Sequence, residues 1–163
     1  MPIPPYVADL RRHVEHTELW LPGTTAVVLD DDTEPTRVLL VRRSDNGAWT
    51  PVTGIVDPGE HPAVTAVREA AEEACVEIRV VGLVAVGVVD EVTYDNGDRA
   101  RYLDHTFRCV WVSGEPAVGD DESSEVRWWP LDDLTALAPR MRERIERALA
   151  WDGTTALVTD GFV

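Results

Sequence analysis

Hydrophobic and polar positions change period several times along this 163-residue chain. After an extended, proline-rich lead-in at residues 2–5, Val7, Leu10 and Val14 recur at helical intervals and predict a helix over 6–18. Gly23 opens a strand at 24–29. An acidic turn at 30–35 separates it from a return strand at 37–42. Residues 44–47 form a turn, and 50–53 a short strand ending at Gly54. Pro58-Gly59 marks another turn, and Pro62 suits the first turn of a helix running to about Ala74. The β-branched stretch 78–89 predicts a long strand, interrupted at Gly82 or Gly87. Asp95-Asn-Gly-Asp98 is a hairpin signal leading to a return strand at 101–112. An acidic loop follows at 113–124, then a short strand at 125–129 and a short helix at 131–137. Met141, Ile145 and Leu149, four apart, place a last helix at 139–151. The final twelve residues carry no clear pattern. Helices scattered among strands, without strict alternation, predict an α+β fold or a mixed sheet.

Composition narrows the function. The length suits one domain with a substantial core, and 44% hydrophobic with 28% charged residues is ordinary for a globular protein. The net charge of −15, from 30 acidic and 15 basic residues, is not. It argues against duplex nucleic acid or an anionic membrane as a partner, since both need a basic surface. A small anionic substrate fits if metal ions offset its charge. No apolar run is long enough to span a bilayer, and residues 1–5 lack a signal-peptide pattern. Cys75 and Cys109 read as two cytosolic thiols rather than a disulfide framework, so the expected compartment is cytoplasmic.

The chemistry concentrates in the helix at 62–74. Glu69, Glu72 and Glu73 stand at i, i+3 and i+4 and share a face. Such carboxylates supply the oxygen ligands that Mg²⁺ takes. Arg68, four residues before Glu72, can hold one carboxylate in place. Val67, Ala70, Ala71 and Ala74 are expected to press the opposite face onto a sheet. The bland alternative is a solvated acidic face. Elsewhere, Tyr94 with the arginines at 99 and 101 could meet a base and phosphates, against an ordinary exposed hairpin. Arg42 and Arg43 could meet a phosphate or balance nearby acids. Trp49, Trp111, Trp128 and Trp129 read as core residues before stacking platforms. His61 and His105 lack paired ligand spacing, so no zinc site is expected.

Gly54, Glu60, Arg68, Glu69, Glu72 and Glu73, with Ala70 and Val76 at aliphatic positions, resemble the Nudix box, here residues 54–76. The likeness extends loosely to Leu39-Leu-Val-Arg-Arg43, Trp49 and the stretch from Glu125 to Leu134. It implies an α/β/α sandwich around a mixed sheet, with residues 1–20 as an extension and 21–163 as the Nudix domain. It also implies Mg²⁺- or Mn²⁺-dependent hydrolysis of a phosphoanhydride in a nucleoside diphosphate-type substrate. By position, Glu69, Glu72 and Glu73 would be metal ligands or, for one of them, the base. Arg68 and Glu60 would orient them, and Gly54 would shape the loop. The resemblance further implies an acidic residue from a downstream loop, Glu122 first and Glu125 second, with a solvated loop as the alternative. ADP-ribose, another nucleoside diphosphate derivative and a modified nucleoside triphosphate all remain open. A second reading is a catalytically silent nucleotide-sensing or regulatory domain, against which the complete glutamate set weighs. The N-terminal helix is expected to cover an edge strand or to make a homodimer contact.

Two positions depart from the pattern. Cys75 occupies the final glycine position, where a left-handed helix end would strain a non-glycine residue. Val52-Thr53 precede Gly54 where Pro-Gly is more frequent, which leaves the metal ligands alone but alters the adjoining backbone.

Overall fold

The structure, a computed structural model, describes residues 4–160. Residues 1–3 of the lead-in and 161–163 at the other end lie outside the described residues. Among the described residues, eight strands form one mixed sheet. They are β1 (Leu19–Leu29), β2 (Arg37–Arg43), β3 (Trp49–Thr50), β4 (Val52–Ile55), β5 (Glu77–Thr93), β6 (Arg99–Ser113), β7 (Ser123–Pro130) and β8 (Ala156–Val158). The helices among the described residues are α1 (Pro5–Val14), α2 (Pro62–Ala74) and α3 (Pro139–Leu149).

The sheet runs β3-β2-β1-β6-β5-β8, with β4 paired to β1 and β7 to β2. β1 lies parallel to β6 from Leu19↔Ala100 to Leu29↔Val110, and β8 lies parallel to β5. The other pairings are antiparallel. Strand alternation explains the sandwich. Val27 and Leu29 of β1 pack with Ile145 and Ala148 of α3 on one face. Ala26 and Val28 pack with Ala66, Ala70 and Ala74 of α2 on the other. The α+β sandwich with a mixed sheet is therefore the observed architecture.

Several elements differ from the sequence expectation for nonlocal reasons. β1 starts at Leu19 because its parallel partner β6 supplies ladder bonds well upstream of Gly23. α1 accordingly stops at Val14, and Glu15 follows with a positive φ of 53°. Residues 131–137 form turns, not a helix. There the Leu131 N–H donates to Thr36, Trp129 Nε1 donates to the Asp133 carbonyl, and Leu134 and Leu137 are buried. The Asp133 carbonyl, which a helix would pair with the Leu137 N–H, is thereby taken by Trp129, and the Leu137 N–H donates to Leu134 instead. β5 is longer than expected, with irregular pairing around Gly82, where Trp151 leaves no room for a Cβ. Trp129 is buried, but Trp111 is 37% exposed, beyond the last β1–β6 pair at Val110.

Candidate active site

α2 begins cleanly. His61 is its N-cap, accepting from the Ala63 N–H, and Pro62 follows. The stripe Ala66-Ala70-Ala74 sits against the sheet because small side chains let helix and strands approach closely. This register differs from the expected Val67-Ala71 face: Val64 is 56% and Val67 39% exposed. The rotation carries Glu73 inward, to 4% exposure. The helix therefore presents a buried carboxylate and not a simple solvated acidic face.

Arg68 organises the other acids. It grips Glu60 with two bonds, Nε to Oε1 at 3.1 Å and Nη2 to Oε2 at 3.0 Å. Its Nη1 donates to Glu69 at 3.0 Å and to Glu72 at 2.9 Å. Thr65 adds a 2.7 Å bond to Glu60. Arg68 and Thr65 hold the Glu60 carboxyl below its ordinary pKa. In return the carboxylates raise the Arg68 pKa against its partial burial. Gly54, on β4 opposite Thr24 of β1, lies under the Glu69 side chain, and a Cβ there would collide with the carboxylate.

Glu73 and Glu122 meet around a small cavity also lined by Arg43, Asp45, Thr50 and Thr53. The Thr50 hydroxyl is buried there without a hydrogen-bond partner among the described residues. Burial first, then the charges of Glu69, Glu122 and Asp120, push Glu73 up to about 9. Burial also pushes Glu69 up to about 7, despite Arg68. Glu122 is raised by burial and by Asp120. Burial works against the Arg43 charge, but Asp45, bonded at 2.9 and 2.5 Å, holds it on.

The loop at 114–122 reaches this place by capping α2. The N–H groups of Ala117 and Gly119 donate to the carbonyls of Ala74 and Glu73, helix-end acceptors with no partner inside the helix. The Ser44 N–H donates to the Glu122 carbonyl and ties the loop to the end of β2. Cys75 ends the helix at φ 57°, ψ 31°, the left-handed conformation anticipated at the glycine position.

The small cavity shares Arg43, Asp45, Thr50 and Thr53 with a larger one of about 610 Å³. Gly54, Trp49 and Tyr94 line the larger cavity, and Tyr94 Oη lies 2.6 Å from Tyr102 Oη. Arg42 lines neither. It donates to the Gly47 carbonyl and stands 3.9 Å from Glu125, which sits on β7 and lines neither cavity. Neither Asp45 as the partner of Arg43 nor Gly119 as a cap of α2 is legible in the sequence: the turn at 44–47 is local, but its ion pair and the loop contact are set by the fold.

Hard carboxylate oxygens, crowded enough to raise one another's pKa, are the donors a divalent cation takes. Among the described residues, no three His, Cys, Asp or Glu side chains already converge as a cage. Arg68 draws Glu69 and Glu72 toward itself, while Glu73 lies on the Glu122 side. The donor chemistry of these carboxylates fits a divalent ion.

Comparison with known proteins agrees with this geometry. The NUDIX domain family model matches residues 20–152. A CMP-5'-(N-acetyl-N-hydroxy-3-aminopropyl)phosphonate hydrolase of Streptomyces rubellomurinus is 33% identical over 76% of this chain and 59% of that protein. The chain thus spans less than two thirds of that relative's length. An ADP-ribose pyrophosphatase of Streptococcus suis superposes with a TM-score of 0.65 at 20% identity, over 85% of this chain and 98% of that one. A UDP-X diphosphatase superposes at 0.66 with 19% identity, over 93% and 73%. These two share the fold. Strand, glycine, turn and glutamate-bearing helix stand where the box spacing requires, and the chain belongs to the NUDIX family.

Proposed function

We propose that this protein is a Mg²⁺-dependent hydrolase, with Mn²⁺ as a substitute, that cleaves a phosphoanhydride bond in a nucleoside diphosphate-type small molecule. The observation that carries the reading is the meeting of Glu73 and Glu122 beside Arg43, next to glutamates held by a single arginine. Glu69, Glu72 and Glu73 would hold the metal, and Arg68 and Glu60 would orient them. A divalent ion bound there would neutralise phosphate charge and acidify water. A water oxygen bonds to phosphorus, the P–O anhydride bond breaks, and the water proton passes to a carboxylate, for which Glu122 is the candidate. Arg43 faces the phosphates, Gly54 leaves room for Glu69, and Tyr94 borders the space for the rest of the substrate. Residues 21–163 form the catalytic domain and 1–20 an extension.

The names of the relatives support the substrate class. One acts on a CMP-linked phosphonate, and two structural neighbours are a UDP-X diphosphatase and an ADP-ribose pyrophosphatase. The test is product release from a nucleotide panel with Mg²⁺, comparing wild type with Glu73→Gln. Release by wild type and its loss in the variant support hydrolysis. Tight binding with no release by either protein would move the assignment to a nucleotide sensor.

A further inference from the structure

The family match begins at residue 20, yet the 610 Å³ cavity is walled by α1, which precedes that residue. Pro4, Val7 and Arg11 line it from one side, while Met141 and Arg144 of α3 line it from another. α1 is firmly attached. Val7 is buried with Leu21, Ile55 and Ala100, which also line the cavity. Tyr6 Oη donates to the Val56 carbonyl at 3.1 Å, just beyond the β4 strand that carries Gly54. Arg11 donates through Nη2 to the Arg99 carbonyl at 2.7 Å and through Nη1 to the Thr17 carbonyl at 2.6 Å, and its Nε stands 3.5 Å from Asp98. α1 is thereby bonded to the box strand's exit and to the β5–β6 hairpin.

Resting on the hydrolase reading, we propose that α1 closes a nucleoside subsite, with Val7 touching the substrate and Arg11 acting as a positioning residue. The apolar part of the wall suits a flat ring. Val7, Ile55 and Val92 are aliphatic, and Trp49, Tyr94 and Tyr102 offer aromatic surface. The volume is in the range that small-molecule sites occupy. Arg43 and Gly54 lie at the end toward the glutamates, so a nucleoside under α1 directs its diphosphate toward Glu73.

The experiment measures kcat and KM of the full chain for nucleoside diphosphate sugars and for phosphoribosyl pyrophosphate, a diphosphate without a base. Val7→Phe narrows the cavity, Arg11→Ala loosens α1, and Arg11→Lys keeps the charge. Calorimetric titration with nucleoside monophosphates runs alongside. Val7→Phe is expected to raise KM for base-containing substrates about tenfold, with kcat within about twofold and the base-free substrate unaffected. Arg11→Ala gives the same split, and Arg11→Lys partly restores KM. Equal losses on base-free and base-containing substrates, or unchanged KM for both, overturn the proposal. If Val7→Phe does not fold, the Arg11 pair decides on the same readouts. If wild type hydrolyses nothing, the hydrolase reading fails alone. Weaker nucleoside monophosphate binding by Val7→Phe then still supports the subsite, and unchanged binding rejects it.

Discussion

Gly119 lies so close to the Glu72 carbonyl that a Cβ at this position would overlap the oxygen. The contact seats the acidic loop on the end of α2, where the Gly119 N–H bonds to the Glu73 carbonyl at 3.1 Å. Glu122 is thus positioned by backbone packing three residues away. Gly119→Ala should lift the loop, destabilise the fold by roughly 1–3 kcal/mol, and lower kcat on the order of tenfold to a hundredfold through misplacement of Glu122. Thermal melts and steady-state kinetics check both. A fully active, equally stable variant would show that the loop tolerates displacement.

Cys75 is the second point of strain at the same helix end. A non-glycine residue at φ 57° gives up about 1 kcal/mol that glycine would not. Cys75→Gly should raise Tm by about 2–4 °C and leave turnover in place. Calorimetry decides, and an unchanged or lower Tm counts against strain at this cap.

Arg68 binds Glu60 through a planar fork and reaches Glu69 and Glu72 with a third nitrogen. Lysine keeps the charge but cannot reproduce the fork. Arg68→Lys should weaken divalent-metal affinity about 10- to 100-fold with little change in secondary structure. Metal titration of activity, beside circular dichroism, provides the measurement. Wild-type affinity in the variant would mean that charge alone suffices.

Glu73, raised to about 9 in the fold by burial and by neighbouring carboxylates, binds a proton that the unfolded chain has already lost near pH 4.5. The folded state therefore holds more protons between these values, and its stability falls as pH rises. Metal-free protein should lose Tm progressively from pH 5 to pH 9. Glu73→Gln should flatten that profile, and Mg²⁺ should stabilise wild type more at pH 8 than at pH 6, because binding needs ionised ligands. Melts in chelator across this range test the sign: a Tm that climbs with pH in metal-free wild type contradicts it.

The sequence alone determined the box. Gly54, Glu60, Arg68, Glu69, Glu72 and Glu73 lie within twenty residues, and helical periodicity sets the spacing of the last four along α2. It also determined α2, its start at Pro62 and the left-handed end at Cys75, since capping is local chemistry. Only the tertiary structure decided how far α2 rotates, and hence that Glu73 is buried while Val67 is exposed. It decided that β1 runs parallel to β6 from Leu19, that residues 131–137 do not form a helix, and that Trp111 stays exposed. It also brought Glu122 to Glu73 and α1 to the cavity wall. These outcomes depend on partners tens of residues away in the chain, chosen by which surfaces the whole sheet can bury together. No local pattern of residues carries that information.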